Sequence, residues 1–373
     1  MVSAPTVRGS GHHAGMTNDP TTTAPTADRV AAELLKLSPA YAPTPLLDLP
    51  RLAARCGVAQ ILAKDESRRM LGSFKSLGGT YAGLRALARA SGSDIAGLLD
   101  PVARRGALPP LICASDGNHG LAVAAAARFA GALARIYLHP RVPAARADRI
   151  AAEGAEIVRV AGTYDDAVTA AAAAARAGGG ILVADTTDDP DDPVVADVMA
   201  GYGVIAAEIR RQVDTAGHPP PTHLLVQAGV GGLAAAVADG LAAWLAPPAA
   251  VIVAEPAGAA CVAAALAENR LVRVPGGLET SAEMLACGEA SAPAMAVLRR
   301  LGARAVVVPE AALDDATRLL REQGGLATTP SGAAGVAGLL SLLAQGSGPS
   351  YGLRGTSRVL ILVTEANLEG EPA

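Results

Sequence analysis

Nine short runs of Val, Ile and Leu recur along the chain without alternating polar residues, and this pattern constrains the fold more than any other feature. Strands that face water on one side alternate in polarity, so these runs are typical of strands covered on both faces. Ala-rich segments of helical length separate them. The sequence therefore predicts an open α/β architecture of twisted, mostly parallel sheets flanked by helices. The predicted strands are residues 60–63, 111–114, 135–138, 156–160, 181–184, 222–226, 251–254, 305–308 and 359–363.

The length of 373 residues and the 51% share of hydrophobic residues predict a large core divided between two domains. We expect a large domain from residues 29–92 and 215–373, and a small domain from 93–214. A charged, proline-broken loop at 190–194 is expected at a domain edge. Residues 1–28 are rich in Thr, Pro, Ser, Gly and Ala, which predicts a disordered tail, and Met16 is a candidate for the true start.

The net charge of -4 and the 2% share of aromatic residues argue against nucleic acid as a partner. No Ala-rich run is long enough, without charge or glycine, to predict a membrane span. The four cysteines stand far apart, and the histidines are scattered, so neither a metal site nor a disulfide framework is predicted. Buried free thiols in a cytoplasmic protein are the expectation.

Three junctions between a predicted strand and the following helix have unusual loops, and ligands of open α/β sheets bind at such places. The first loop is QAGVGG at 227–232. Its glycines allow close approach of a phosphate, and a helix predicted at 233–245 would direct its dipole at the charge. A tight turn is the alternative. The loop also fits a dinucleotide motif, with Glu255 at the end of the next strand, so NAD binding has to be considered.

The second junction is SDGNHG at 115–120, before a helix predicted at 121–129. Ser, Asp and Asn side chains here can bind a ligand or can cap the helix. The run of polar and glycine positions favours a ligand site.

The third junction is SFKSLGG at 73–79, where apolar residues recur at helical spacing. Lys75 is therefore predicted in the first turn of a helix that begins near Ser73. The helix dipole and the neighbouring Phe74 are expected to lower the pKa of its amine, and a free amine is what imine formation requires. A lysine that extends to water is the alternative.

Taken together, the three junctions follow the order seen in pyridoxal-phosphate enzymes of the tryptophan synthase β type, also called fold type II. More closely, the chain from about residue 40 to 369 resembles the diaminopropionate ammonia-lyase family. The resemblance lies in FKSLGG (74–79), DGNHG (116–120), QAGVGG (227–232), EP (255–256), LACGE (285–289) and the pair Asp185-Thr186. Asp116 distinguishes this family from the serine and threonine dehydratases of the fold, which usually have Ser-Ala-Gly-Asn or Ser-Ser-Gly-Asn at that turn.

The resemblance implies pyridoxal 5'-phosphate in a cleft between the two domains, with Lys75 bound covalently to it. It implies that Asn118 hydrogen-bonds the ring hydroxyl and that Thr364 faces the pyridine nitrogen. Phe74 would contact the cofactor. The phosphate would be held by Gly229, Val230, Gly231, Gly232 and Leu233.

The implied reaction is α,β-elimination of 2,3-diaminopropionate to pyruvate and two ammonia. Lys75 would take the α-proton of the L isomer and Asp116 that of the D isomer, while Asp185 would hold or protonate the leaving amine. A homodimer is expected from the family.

The chain departs from the family pattern after Asp185-Thr186, where Thr187-Asp188-Asp189-Pro190 replaces the usual Trp-containing run, and again near Met284. A dehydratase or another β-eliminating lyase shares all cofactor residues and stays open as an alternative. Hydride transfer explains the glycine loop and Glu255 but neither Lys75 nor the turn at 116–120. A catalytically silent protein on this scaffold is the remaining alternative.

Overall fold

A computed structural model describes residues 25–100, 102 and 106–367. Most of the predicted tail, with Met16, lies outside the described residues. Its last residues do not form a tail, because the first helix begins at Ala27 and Thr26 caps it, accepting a hydrogen bond from the Arg29 amide.

The larger sheet of the described part is parallel except for one edge strand. Its strands lie in the order β1-β2-β10-β7-β8-β9, and β1 runs antiparallel to β2. The central strands are buried along nearly their whole length. The strands are β1 (Leu46–Asp48), β2 (Gln60–Asp65), β7 (His223–Gln227), β8 (Ala250–Pro256), β9 (Arg304–Val308) and β10 (Arg358–Val363).

The smaller sheet is parallel throughout, in the order β5-β4-β3-β6. Its strands are β3 (Leu111–Cys113), β4 (Ala134–Leu138), β5 (Glu156–Arg159) and β6 (Ile181–Leu182). The predicted α/β class with two mostly parallel sheets is therefore confirmed, and every predicted strand is present with its ends within two residues of the predicted ones. Strand β1 was missed, because three half-exposed residues at a sheet edge carry no aliphatic run.

Helices cover both sheets, and no helix of the described residues is long and apolar enough to cross a membrane. They are α1 (Ala27–Leu35), α2 (Pro50–Cys56), α3 (Lys75–Ser91), α4 (Ile95–Leu99), α5 (Asn118–Ala130), α6 (Ala144–Ala152), α7 (Tyr164–Arg176), α8 (Pro193–Thr215), α9 (Gly232–Leu241), α10 (Cys261–Ala267), α11 (Ala292–Arg300), α12 (Glu310–Gly324) and α13 (Pro330–Ala344).

The starts of the helices follow local signals in the sequence. Thr163 caps α7 through a capping box with Asp166, as its position before two aspartates predicts. Helix α5 begins three residues earlier than predicted, so the polar turn supplies its first residue, Asn118. Helix α9 is shorter than predicted and ends at Leu241.

Helix α3 lies between α5 and α8, and its glycines allow this close packing. A Cβ atom added at Gly79 would lie 2.6 Å from Ala122 Cβ of α5, and one at Gly78 would overlap the Tyr202 ring of α8. Because these helices touch almost backbone to backbone, the first turns of α3 and α5 and the side chain of Tyr202 have fixed relative positions.

A cluster of four buried charges joins β2 to α8. Lys64 Nζ donates to Glu208 Oε2 at 2.6 Å, and Arg69 bonds both Glu208 and Glu66. All four side chains are at most 1% exposed. Two cations and two carboxylates balance one another, so the cluster fastens α8 to the large sheet.

The domain boundaries stay a prediction. Strands of the small sheet fall between residues 111 and 182, within the predicted small domain. Helix α8 was assigned to that domain, but its bonds to Lys64 and its packing on α3 argue for a boundary closer to residue 193.

Candidate active site

A cleft of about 620 Å³ lies where loops after strands of both sheets meet. Parallel strands direct their carboxyl ends to one edge, and the helices that follow direct their N-termini there as well. The predicted site residues all line this one cleft: Phe74, Lys75, Asp116, Asn118, Asp185, Gly229, Val230, Gly231, Gly232, Leu233 and Thr364. The fold thus brings together residues from five distant parts of the chain.

Lys75 is the first residue of α3, so the helix begins two residues later than predicted and Lys75 lies in its first turn as expected. Its Nζ donates to Asp185 Oδ2 at 2.5 Å, and the two side chains are 23% and 24% exposed. Burial lowers the pKa of Lys75, but the Asp185 carboxylate outweighs it, so the pKa lies above the ordinary lysine value. The expectation of a lowered pKa was wrong, because it considered the helix dipole and Phe74 but not a carboxylate 110 residues away.

Asp185 follows β6 and carries the negative charge opposite Lys75. Burial raises the pKa of its carboxyl, whereas the Lys75 ammonium and His119 lower it, and the result lies below the usual aspartate range. Asp185 is therefore ionised at neutral pH and can hold a cation in the cleft.

Two aromatic rings flank the Lys75 ammonium. Nζ lies 5.5 Å from the centroid of Phe74 and 6.0 Å from that of Tyr202, and the two rings pack against each other at 4.9 Å. Among the described residues no group satisfies the buried Tyr202 hydroxyl. A polar atom of the cleft lining is thus buried beside the Lys75 ammonium.

The polar turn contributes Asp116 and Asn118 to the lining of the same cleft. Asp116 Oδ2 lies 3.5 Å from Arg146 Nη1, and a second nitrogen of Arg146 bonds Glu283 at 2.5 Å. Asn118 Nδ2 donates to Glu365 Oε2 at 2.6 Å. Both predicted residues therefore face the cleft, each with a charged neighbour.

The glycine loop forms the floor of the cleft at the start of α9. Gly231 is the N-cap at a φ of 95°, where any side chain would be strained, and no side chain caps the helix. The first N–H groups of a helix lack partners within it, so they are open to an anion here. Glu255, considered above as a ribose ligand, is fully buried and accepts from the amides of Val262 and Ala263, so it takes no part in this floor.

Thr364 directly follows β10, and it is a buried residue of the cleft lining. Its Oγ1 accepts a hydrogen bond from Gln227 Nε2 at 3.1 Å, and its backbone oxygen accepts one from the Phe74 amide at 3.2 Å. A neutral hydroxyl thus lies beside the start of α3.

Sequence reasoning missed several cleft residues. Tyr202 lies within the long helix α8, and Glu365 directly follows Thr364 near the end of the chain. Tyr164 was seen only as part of a helix start, although it lines the cleft. The signal for Glu365 was its place beside a predicted site residue at the end of a strand, whereas nothing local distinguishes Tyr202.

The residues of the cleft fit pyridoxal phosphate. The lining of the cleft includes an amine, an uncapped helix N-terminus, a buried hydroxyl and a side-chain amide. An aldehyde, a phosphate and a ring with polar substituents match these groups in turn. No group of His, Cys, Asp and Glu arranged to hold a metal occurs within the described ranges.

Comparison with known proteins agrees with this fit. The model of the family described as pyridoxal-phosphate dependent enzyme matches residues 37–365. The chain belongs to this family. The predicted cofactor, pyridoxal phosphate, and the predicted fold type are thereby confirmed.

Relatives within this family indicate the chemistry. Diaminopropionate ammonia-lyase of Escherichia coli is 34% identical over 263 residues, which cover 69% of this chain and 66% of that protein. The alignment thus spans just under two thirds of the relative's length. L-threonine dehydratase of Mycobacterium leprae is 31% identical over 310 residues, covering 82% of this chain and 66% of that one. The crystal structure of the Escherichia coli ammonia-lyase in complex with D-serine has a TM-score of 0.82 at 30% identity, over 91% of this chain and 89% of that chain.

Proposed function

We propose that this pyridoxal-phosphate dependent enzyme is an ammonia-lyase that converts 2,3-diaminopropionate and one water to pyruvate and two ammonia. The observation that carries the proposal is the pair of carboxylates, Asp116 and Asp185, in the cleft of Lys75. A substrate with two amino groups needs a carboxylate to hold the second one, which a hydroxyl substrate does not. The names of the relatives support the same reaction.

Lys75 is proposed to hold the cofactor covalently and to take the α-proton of the L isomer once substrate has released it. When bound, pyridoxal phosphate supplies an electron sink that stabilises negative charge at the substrate α-carbon. The position of Nζ at the N-terminus of α3 disfavours the ammonium form once Asp185 is occupied by substrate, so a free amine can act as the base.

Asp185 is proposed to bind the β-ammonium group of the substrate. Its carboxylate already holds an ammonium, that of Lys75, at 2.5 Å. Substrate would replace one cation by another of equal charge, and the carboxylate would orient the C–N bond that breaks. The carbon–nitrogen bonding electrons leave with ammonia, and hydrolysis of the resulting aminoacrylate gives pyruvate and the second ammonia.

Asp116 is proposed to take the α-proton of the D isomer. It lines the same cleft as Lys75 but belongs to a different turn of the chain, and we assign it to the other face of the substrate. The Arg146 guanidinium 3.5 Å away offsets the repulsion between this carboxylate and that of the substrate. The D-serine bound to the Escherichia coli relative supports access for D-amino acids to this kind of cleft.

The remaining predicted residues are proposed to hold the cofactor. The amides of Gly229, Val230, Gly231, Gly232 and Leu233 bind its phosphate at the start of α9. Asn118 bonds the ring hydroxyl, Phe74 contacts the ring and Thr364 faces its nitrogen. A neutral partner at that nitrogen leaves the ring a weaker electron sink, which suits elimination better than transamination.

The test is pyruvate formation from D- and L-2,3-diaminopropionate, with D- and L-serine and L-threonine as controls. Asp116→Asn is expected to reduce turnover of the D isomer about 10²–10³-fold and to spare the L isomer. The matched control is Asp188→Asn, which removes a carboxylate from the same cleft and is expected to affect both isomers equally. Equal losses with Asp116→Asn would refute the assignment of one base to each isomer.

A dehydratase acting on serine or threonine is the second candidate. The relation to L-threonine dehydratase and the departure at Thr187-Asp188-Asp189-Pro190, which lines the cleft through Thr187 and Asp188, favour it. Turnover of L-threonine or L-serine above that of either diaminopropionate isomer would establish it in place of the ammonia-lyase.

A homodimer and a cytoplasmic location are proposed as well, the first from the resemblance of the sequence and the second from the free state of Cys56, Cys113, Cys261 and Cys287. Light scattering after size exclusion gives the oligomer directly. A monomeric mass at micromolar concentration would contradict the dimer.

A further inference from the structure

Glu365 is a buried carboxylate of the cleft that the proposed reaction does not use. Its side chain lines the cleft, and the residue is 5% exposed. Its Oε2 accepts a hydrogen bond from Asn118 Nδ2 at 2.6 Å, and its Oε1 accepts one from Thr329 Oγ1 at 2.5 Å. Its backbone oxygen accepts another from Thr328 Oγ1. A group held at every oxygen has one orientation.

Charged and polar groups from several elements face this carboxylate. Burial raises the pKa of Glu365 above the ordinary glutamate value, and it outweighs the opposite effect of Thr329 at the N-cap of α13, Lys75 of α3, Asn118 of α5 and Arg146 of α6. Both oxygens act as acceptors, which is the arrangement of an ionised carboxylate. Burying a charge is costly unless it is paired, so a carboxylate here needs a role that a neutral side chain could not fill.

The contact determines how the Asn118 amide is turned. A carboxylate has no proton to donate, so the Asn118 nitrogen, and not its oxygen, must face Glu365. One of the two N–H groups is then used by Glu365, and the second stays available as a donor. Without Glu365 the amide could turn its oxygen, and not its nitrogen, toward the ring hydroxyl, and Asn118 would then no longer be a donor to that group.

We propose that Glu365 is a positioning residue, which orients Asn118 as a donor to the ring hydroxyl of pyridoxal phosphate and places a negative charge beside the ring. The inference rests on the proposed placement of Asn118. Two effects follow from it. Cofactor binding weakens when the amide is free to turn, and the protonated form of the bound cofactor is favoured while the charge is present.

The experiment uses the full chain with cofactor and without substrate, so that it does not depend on the proposed reaction. Glu365→Ala is expected to raise the dissociation constant of pyridoxal phosphate about 10-fold, as expected for a lost hydrogen bond to a charged group. Glu365→Gln keeps an acceptor but no charge. It is expected to retain affinity within about 3-fold and to lower the pH midpoint of the visible cofactor band by about 0.5–1 unit.

Two further measurements separate this role from simple structural support. In an Asn118→Ala background, Glu365→Ala is expected to add no further loss of cofactor affinity, because the two residues act as one unit. Glu283→Gln, which removes an exposed carboxylate of the same cleft, is expected to leave the midpoint unchanged. Additive losses of cofactor affinity in the double variant would overturn the proposal. So would Glu365 variants that lower the melting temperature but leave the cofactor affinity and the pH midpoint of the cofactor band as in the parent protein.

Discussion

Lys64 and Lys75 lie close together in the chain, and each donates to a carboxylate from a distant segment. Lys64 is fully buried in the cluster with Glu208, and its ammonium also donates to Thr44 O and Gln212 Oε1. Lys75 is 23% exposed, lies between two rings and borders a cleft. An ion pair alone therefore does not mark a reactive lysine; access, and a partner that a ligand can displace, distinguish the two.

The carboxylate partners of the two lysines, Glu208 and Asp185, also differ in access and in their other contacts. Glu208 bonds Lys64 and Arg69 inside a balanced cluster, and both of its oxygens are used. Asp185 follows β6 of the small sheet and meets Lys75 across the cleft. One carboxylate fastens helix α8 to the large sheet, whereas the other can exchange one cation for another.

Replacing Lys75 is the strongest test of this difference. Lys75→Ala is expected to reduce pyruvate formation more than about 10⁴-fold, because both the covalent link and a base are lost. The visible absorption band of the bound cofactor should change as well. Spectra and single-turnover assays of the purified variant provide the measurement, and an unchanged band would contradict the assignment.

Replacing Lys64 should reduce the stability of the protein and not its activity. Lys64→Met leaves Glu208 and Glu66 with one cation fewer, and we expect the free energy of unfolding to fall by about 3–5 kcal/mol. Activity per folded molecule should persist. Denaturant unfolding with and without the second substitution Glu208→Met checks this, because the double variant removes the charge imbalance and should recover part of the loss. No recovery would mean that packing, and not charge balance, holds the cluster.

Asp185→Asn tests the role of the carboxylate that pairs with Lys75. We expect about 10²-fold lower turnover for both diaminopropionate isomers, since the β-ammonium loses its carboxylate, with little change in thermal stability. Glu208→Gln is the matched variant and should show the reverse, lost stability with turnover retained in the folded fraction. A larger loss for one isomer would assign Asp185 to proton abstraction instead.

Glu255 is a buried carboxylate that accepts from backbone amides and not from a cation, and its replacement is expected to change only the pH dependence of stability. Burial raises the pKa of its carboxyl from 4.5 to about 8. Between these values the folded state keeps a proton that the unfolded state has released, so stability should fall as the pH rises through this window. Glu255→Gln should flatten this part of the curve of unfolding free energy against pH, which urea unfolding at several pH values measures.

Much of the fold could be predicted because its signals are local. Aliphatic runs identified the strands of both sheets, and Thr163 identified the start of α7. The glycine loop and the position of Lys75 were likewise evident from single segments. Strand β1 was missed because an edge strand of three residues has no pattern of its own.

The electrostatics of the site could not be predicted, because they depend on contacts between distant segments. The pKa of Lys75 is raised by Asp185, which only the meeting of the two sheets brings near. Arg146 beside Asp116 and Glu365 beside Asn118 are pairs of the same kind. Periodicity reports which face of an element is buried but not which charge it meets.

The close contact of α3 with α5 and α8 bears on how such an enzyme could acquire a new substrate. Substitutions at Gly78 or Gly79 would displace Tyr202 or α5, and with them the first turns that present Lys75 and Asn118, so foldability and reactivity would be lost together. The wall at Tyr164, Thr187 and Asp188 borders the same cleft but is partly exposed. Divergence in specificity is therefore expected to accumulate on that wall, while the three-helix contact tolerates almost no change.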